Sequence, residues 1–152
     1  RKESSAASDV YKRQVYGLVL AGATWTWQLV AVLVAFALWG IASHAFGAVQ
    51  DVEADRAADI SSIATARGAR WTVRFALAAY ALAGVVMLVT AWPGPLAALL
   101  VIPYLVVCWP YRNVTDATSD SATAGWNRFL WLNQIAGFGT TMLLIWWWFL
   151  SA

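Results

Sequence analysis

Three aspartates recur at a spacing of four residues in the segment that separates two long apolar runs. Asp51, Asp55 and Asp59 would lie on one face of a continuous helix, drifting by about 40° at each step. Like charges at this spacing repel one another, and carboxylates at the C-terminal end of a helix oppose its macrodipole. A bound cation would offset both effects. Aspartate oxygens, in a segment without cysteine, suit a hard ion such as Mg²⁺ better than Zn²⁺.

The same aspartates have a second interpretation, in which they form a solvated acidic turn between two membrane helices. In that case Arg56 is an internal counter-ion and no metal is bound. The spacing alone does not decide between a metal site and an acidic turn, and both remain open at this point.

Other polar side chains near the aspartates are candidates for contacts with an anionic ligand. His44 precedes Asp51 by seven residues, two helical turns, and would lie on nearly the same face. Ionisable side chains within membrane helices commonly face a cavity or the bundle interior, which favours a cavity-lining role over a bond to a neighbouring helix. Arg56 and Arg67 could bind phosphate oxygens. The alternative, that such arginines set topology and touch lipid headgroups, is favoured for the next two, Arg70 and Arg74.

The composition is that of a membrane protein. The chain has 152 residues, of which 61% are hydrophobic and 12% charged, against about 25% charged in a typical soluble domain. Four of its ten basic residues lie within residues 1–14, and beyond them the basic and acidic side chains balance. The net charge of +2 is therefore not the footprint of a nucleic-acid-binding protein.

Four apolar segments predict membrane-spanning helices, and a fifth, Val15–Ala23, reads as the end of another. The full spans are Trp27–Val49, Trp71–Trp92, Leu96–Trp109 with a bend at Pro103, and Phe129–Leu150. The arginines beyond residue 14 all lie in or next to the loops at 51–74 and 111–128, which the positive-inside rule assigns to the cytoplasm. The sequence therefore predicts an all-α, multi-pass protein of the cell membrane.

Residues 1–14 differ in composition from the rest of the chain. They hold both of its lysines and no apolar run, and they lack the pattern of a signal peptide. The segment is similar to read-through of a sequencing adapter, which predicts that the natural protein begins further upstream and that this chain is a fragment. A genuine disordered polar tail is the alternative.

Two other polar segments have ordinary structural explanations. The run from Asn113 to Asp120 has two aspartates four apart, but its Thr and Ser residues predict turns and an N-cap for the next helix. Asn133 and Gln134 in the last span could line a cavity or form bonds between helices.

With these residues laid out, the chain resembles the UbiA superfamily of intramembrane prenyltransferases. The resemblance rests on Ser43–Gln50, on Asp51-Val-Glu-Ala-Asp55 and on Ile60–Thr65, and it extends from Val15 to Ala152. The segment is similar to the family's second Asp-rich motif. The resemblance implies a helix bundle around a central cavity, with Mg²⁺ held by two Asp-rich loops and bound to the diphosphate of an isoprenoid donor.

The resemblance also implies roles for individual residues. Asp51 and Asp55 become the catalytic pair that binds Mg²⁺, directly or through water. Asp59 is a further candidate metal ligand, although the family more often has a small residue there. His44, Arg56 and Arg67 are assigned to substrate binding.

The carotenoid branch of the family, the lycopene elongases of C50 carotenoid synthesis, is the most similar in the segments around 44–50 and 59–69. That similarity implies dimethylallyl diphosphate as donor and lycopene as acceptor. The alternatives are a quinone-precursor, haem or chlorophyll acceptor, or a non-enzymatic membrane transporter or helix bundle. Acids clustered at a helix end favour the enzyme, because transporters concentrate ionisable groups near the membrane midplane. The family's first Asp-rich motif is absent, so the chain by itself is predicted to be inactive.

Overall fold

The computed structural model describes residues 15–151, which contain helices and turns and no strand. The predicted all-α architecture is thus confirmed for this part of the chain. The polar leader predicted at residues 1–14 lies outside the described residues. A helical segment at 15–20 begins the described part, where the sequence predicts the end of a fifth span.

The helices follow one another with short connections. The α-helices are α1 (Trp27–Gly47), α2 (Val52–Ala57), α3 (Ile63–Arg67), α4 (Ala69–Leu88), α5 (Ile102–Cys108) and α6 (Thr123–Ser151). Three 3₁₀ helices lie at Gly94–Val101, Trp109–Tyr111 and Asp116–Ala122. Four stretches are long and apolar enough to cross a membrane, namely Trp27–Gly47, Ala69–Leu88, Gly94–Tyr111 and Asp116–Trp147. The four predicted spans are confirmed.

The third span is not one uniform helix. It begins as the 3₁₀ helix and becomes α-helical at Ile102, with Pro103 in the first turn of α5. Proline is tolerated there because the first N–H groups of an α-helix have no partner within it. The bend predicted at Pro103 thus corresponds to a change of helix type.

The last span begins earlier than the predicted Phe129. The 3₁₀ helix at Asp116–Ala122 continues directly into α6 at Thr123, so most of the predicted polar loop is helical. Hydropathy marks only the apolar part of a helix, and it misses a polar first turn that projects beyond the hydrocarbon region. The predicted boundary was therefore wrong by six residues.

Small side chains bring α1 and α4 together. Ala42 and Ala45 of α1 and Ala76 and Ala79 of α4 are buried in the core of the bundle. Such residues allow two helix backbones to approach closely, which is how helices in lipid gain van der Waals contact. The third span packs against α4, and α6 packs against the third span.

An aromatic cluster fills the bundle between these helices. Tyr80 and Tyr104 stack with their ring centroids 5.1 Å apart, and Phe129 meets Tyr104 edge-on at 5.2 Å. Tyr80 also lies 3.0 Å from the Ser43 hydroxyl. Since Ser43 already donates its one proton to the Trp39 carbonyl, Tyr80 is the donor. Further members of the cluster are Phe46, Tyr111 and Trp126.

Both charged connections lie at the same end of the bundle. Arg56 contacts Asp116 across them, and Arg74 at the start of α4 donates to the side chain of Asn113 at 3.0 Å. We call this the charged end. The prediction that the two charged loops share one side is confirmed by these contacts.

Candidate active site

The acidic connection, residues 48–68, begins where α1 ends at Gly47. Val49 and Val52 are fully buried and anchor it to the core. Asp51 directly precedes α2, and its carbonyl accepts a hydrogen bond of 2.7 Å from the N–H of Asp55. One helical turn therefore separates the two aspartates and leaves them on the same side of the chain.

The carboxylates of this pair are unengaged. Asp51 is exposed and Asp55 is partly buried. Within residues 15–151 neither side chain makes a hydrogen bond or an ion pair. Both are free to bind a cation or water.

Asp59 does not continue the face that Asp51 and Asp55 share. It has a φ of 55°, in the left-handed region, and follows the end of α2. Its N–H bonds to the Arg56 carbonyl at 3.2 Å, and the N–H of Ile60 bonds to the Asp55 carbonyl at 2.8 Å. These two bonds form a Schellman motif, which terminates a helix. The three aspartates would share one face only on a continuous helix, and the chain does not form one, because α1 ends before Asp51 and α2 ends before Asp59. The role of Asp59 as a metal ligand stays a prediction.

The geometry predicts that Asp59 tolerates replacement by glycine. Asp59→Gly should leave thermal stability unchanged or raise it slightly, because glycine adopts a positive φ without steric cost. Asp59→Val should lower the stability by about 1–2 kcal/mol, the cost of placing such a residue in the left-handed region. Thermal unfolding of the two variants in detergent checks this. Equal destabilisation by both would contradict a conformational role.

Arg56 lies on α2 between the aspartates but is paired elsewhere. Its guanidinium contacts the Asp116 carboxylate with an N–O distance of 2.7 Å, and it donates to the Thr65 carbonyl at 3.2 Å. The interpretation of Arg56 as the counter-ion of Asp51, Asp55 and Asp59 is therefore wrong. It is the counter-ion of an acid from the other charged connection.

Asp116 is the central residue that the sequence analysis missed. Its second carboxylate oxygen accepts a 2.7 Å hydrogen bond from the N–H of Ala69, the first residue of α4. Gly68, which precedes α4, has no side chain that could cap it, and its φ is 84°. The sequence did contain one signal for this contact. A membrane helix that begins after glycine has no Ser, Thr, Asp or Asn at its N-cap, so a residue from elsewhere in the chain is expected to cap it.

The capping predicted for the Thr and Ser residues of the 113–120 segment is confirmed at Thr115 and Thr118. Thr115 precedes the 3₁₀ helix and forms a capping box with Thr118, whose hydroxyl accepts from the Thr115 N–H at 3.1 Å. Asp116, in contrast, caps α4, which lies 47 residues earlier in the chain.

The other arginines near the site differ in their contacts. Arg67 ends α3, is exposed, and lies 5.5 Å from the ring centroid of Trp71. Arg70 is exposed. Arg74 donates to the Arg112 carbonyl at 3.1 Å as well as to the loop asparagine described above. Of these three arginines, Arg67 is the nearest in sequence to Asp51 and Asp55. Its guanidinium forms no ion pair with a carboxylate of the described residues.

The donor set of the acidic connection fits a hard cation. Within residues 15–151 no group of three or more His, Cys, Asp or Glu side chains is arranged to hold a metal ion. Asp51 and Asp55 offer two free carboxylates. Mg²⁺ in proteins is commonly bound by one or two carboxylates, with waters and substrate phosphates as its other ligands. The pair suits that arrangement.

An apolar cavity of about 820 Å³ lies towards the opposite end of the bundle from the acidic connection. Its lining includes Phe36, Trp39, Met87 and Tyr104. His44 is exposed and does not line it. Five residues beyond Trp39, His44 is turned by about 140° around the helix axis. Its predicted place beside a cavity near the acidic pair stays a prediction.

One of the two polar residues in the last span bonds between helices. The side-chain oxygen of Asn133 accepts a 2.9 Å hydrogen bond from the Tyr104 hydroxyl, which ties α6 to α5. Gln134 is exposed. The sequence left both possibilities open, and for Asn133 the bond between helices is the one observed.

Comparisons with known proteins agree with this architecture. The model of the UbiA prenyltransferase family matches residues 14–135. A C(50) beta-cyclic carotenoids biosynthesis protein of Dietzia sp. (strain CQ4), LbtBC, is 50% identical over 133 residues. A lycopene elongase/hydratase of Corynebacterium glutamicum is 41% identical over 131 residues.

The matches cover most of this chain but only part of the relatives. They include 87% of the chain and 31% of the Dietzia protein, and 85% of the chain and 45% of the Corynebacterium protein. The chain therefore spans less than half the length of either relative. No solved structure matches it.

Proposed function

Because the chain belongs to the UbiA prenyltransferase family, we propose that it supplies the second Asp-rich half of a Mg²⁺-dependent prenyltransferase active site. The reaction is transfer of an allylic group from its diphosphate to a hydrophobic acceptor. Four apolar helices and the family membership make the chain an integral membrane protein. We propose that residues 15–152 are the C-terminal part of the family domain.

One observation carries the proposal. Asp51 and Asp55 are two unengaged carboxylates one helical turn apart, at the end of an apolar bundle. Like charges one helical turn apart repel each other by about 0.2–0.5 kcal/mol, and a bound cation would remove that repulsion. An ordinary acidic turn would engage them with arginine, yet the nearest arginine, Arg56, is paired with Asp116.

Residues of the acidic connection and of the end of α1 have different roles in binding the donor. Asp51 and Asp55 would hold Mg²⁺ through their carboxylate oxygens. When bound, the ion would supply positive charge that stabilises the diphosphate as a leaving group. Arg67, exposed at the end of α3, adds donors for diphosphate oxygens. His44, exposed one turn before the end of α1, contacts the substrate from the same end of the bundle.

A hydrocarbon acceptor suits the rest of the bundle. The cavity lining is almost entirely apolar and includes several aromatic rings. Such a site excludes water and suits a long apolar molecule. The similarity to a lycopene elongase/hydratase supports lycopene as acceptor. The resemblance to that branch of the family implies dimethylallyl diphosphate as donor.

The positive-inside rule places the charged end on the cytoplasmic side of the cell membrane. The arginines beyond residue 14 are at or near that end, whereas the turns at 21–26 and 89–93 carry no charge. The donor, a soluble diphosphate, would then reach the acidic connection directly from the cytoplasm.

Product analysis tests the acceptor. We expect that the complete reading frame containing this chain, expressed in a lycopene-accumulating bacterial host, yields carotenoids longer by one or two five-carbon units. A strain with Asp51→Asn should yield lycopene alone. Unchanged lycopene with the wild-type protein, together with prenylated quinone precursor, haem or chlorophyll, would contradict the lycopene assignment and retain the enzyme class.

A further inference from the structure

We propose that Asp116 is a positioning residue for donor binding, which acts by orienting Arg56 toward the diphosphate. The inference rests on the proposed function, and it assigns a role to a loop that neither Asp-rich motif includes. Asp116 itself does not touch the donor in this account. Its effect passes through the guanidinium that it holds.

Two contacts of one carboxylate connect the parts of the site. One oxygen of Asp116 accepts from the Ala69 N–H at 2.7 Å, and the other contacts Arg56 at 2.7 Å. The first contact fixes the carboxylate to the beginning of α4. The second attaches it to α2, the helix that carries Asp55. Asp116 thus joins a membrane-embedded helix to the short helix of the metal-binding pair.

Close packing keeps this carboxylate in place. A methyl group on Gly68 would lie 3.3 Å from its bonded oxygen, tighter than an ordinary contact. Glycine with a φ of 84° therefore leaves the space in which Asp116 sits. The side chain of Asp116 is 34% exposed, so the ion pair is partly shielded from water.

Arg56 keeps donors available while it is held. One terminal nitrogen contacts Asp116 and the other donates to the Thr65 carbonyl. A guanidinium has five N–H groups, so three remain for another acceptor. The Arg56 side chain is 46% exposed and lies one residue after Asp55 on α2. A guanidinium fixed in this way loses less conformational freedom when it binds phosphate oxygens than a free side chain does.

The competing explanation is that Asp116 only caps α4. Asparagine separates the two roles, because its side-chain oxygen can still accept from the Ala69 N–H while the charge that pairs with Arg56 is lost. A cap alone would make Asp116→Asn nearly neutral for donor binding. Asp120→Asn is the matched control, since Asp120 is exposed on the same 3₁₀ helix and its carboxylate has no partner within residues 15–151.

The experiment is steady-state kinetics on the protein from the complete reading frame, with dimethylallyl diphosphate and lycopene varied separately. Asp116→Asn should raise the KM for the diphosphate about tenfold, with kcat and the KM for lycopene within twofold of wild type. Asp116→Glu should recover part of the loss, and Asp120→Asn should match wild type. Arg56→Gln should raise the donor KM at least as much as Asp116→Asn, and the double variant should be no worse than Arg56→Gln alone.

Several outcomes would overturn the inference. They are an unchanged donor KM in Asp116→Asn, a change of similar size in Asp120→Asn, or additive effects in the double variant. A lower kcat together with higher KM values for both substrates and a lower Tm would show that Asp116 only caps α4. If the wild-type protein transfers no prenyl group, the proposed function fails and the inference fails with it. An active wild type with an unaffected Asp116→Asn contradicts only the inference.

Discussion

Replacing Asp55 with asparagine should lower the kcat/KM of prenyl transfer by about 10²–10³-fold, the usual cost of removing one group that stabilises developing charge. Asparagine keeps the size of the side chain and one oxygen but removes the negative charge that we propose binds Mg²⁺. We expect the same loss for Asp51→Asn, because the two residues lie one turn apart and would bind the same ion. Initial rates with labelled dimethylallyl diphosphate, measured over a range of Mg²⁺ concentrations, check both.

The matched control is Glu53→Gln. Glu53 is an exposed carboxylate of α2, between the two aspartates in sequence, and it has no partner within residues 15–151. Glu53→Gln changes the net charge of the loop by the same amount as Asp55→Asn. The activity of the Glu53→Gln variant should nevertheless stay within about twofold of wild type. Equal losses in Glu53→Gln and Asp55→Asn would mean that overall charge matters and would contradict a specific metal site.

Truncating Tyr80 should have the largest effect on stability. Tyr80, on α4, is fully buried, stacks on Tyr104 of α5 and donates to Ser43 of α1. Tyr80→Ala leaves a cavity in the aromatic cluster, and loss of a large buried ring costs about 3–5 kcal/mol. Tyr80→Phe keeps the ring and loses only the hydrogen bond, which should cost about 0.5–1.5 kcal/mol. Unfolding of the purified protein in detergent measures both.

Phe138→Ala is the control for the loss of an aromatic ring. Phe138 lies on α6 and is 67% exposed, so its removal should change the unfolding free energy by less than about 0.5 kcal/mol. Similar destabilisation by Tyr80→Ala and Phe138→Ala would contradict the assignment of the aromatic cluster as the core of the bundle.

The sequence was sufficient for the parts of the fold that depend on composition and local pattern. Long apolar runs predicted the four spans. In lipid, an α-helix is the structure in which a single segment can hydrogen-bond its own backbone groups, so each run was expected to be helical. That Asp51 and Asp55 lie one helical turn apart could also be predicted, since a spacing of four persists wherever that turn begins. Their role as metal ligands stays a prediction. The arginine distribution grouped the two charged connections on one side.

Contacts between distant segments could not be predicted in the same way. The Arg56–Asp116 pair joins residues that are 60 positions apart, and nothing in the local sequence of either one specifies the other. Asp59 does not share the face of Asp51 and Asp55, because the chain turns at Ala48–Asp51 and again at the end of α2, and the spacing of four specifies neither turn. His44 was assigned to a cavity from its polarity and from its spacing of seven residues to Asp51. Which face of α1 meets the other helices depends on contacts with distant segments, which neither signal contains.

The most direct test of the central claim is metal dependence of prenyl transfer. Membranes containing the protein from the complete reading frame are stripped with a chelator, supplied with labelled dimethylallyl diphosphate and lycopene, and then titrated with Mg²⁺. We predict no labelled carotenoid after chelation and full recovery when Mg²⁺ is added back, with recovery absent in Asp51→Asn and Asp55→Asn. Transfer that continues at the wild-type rate after chelation would contradict the account.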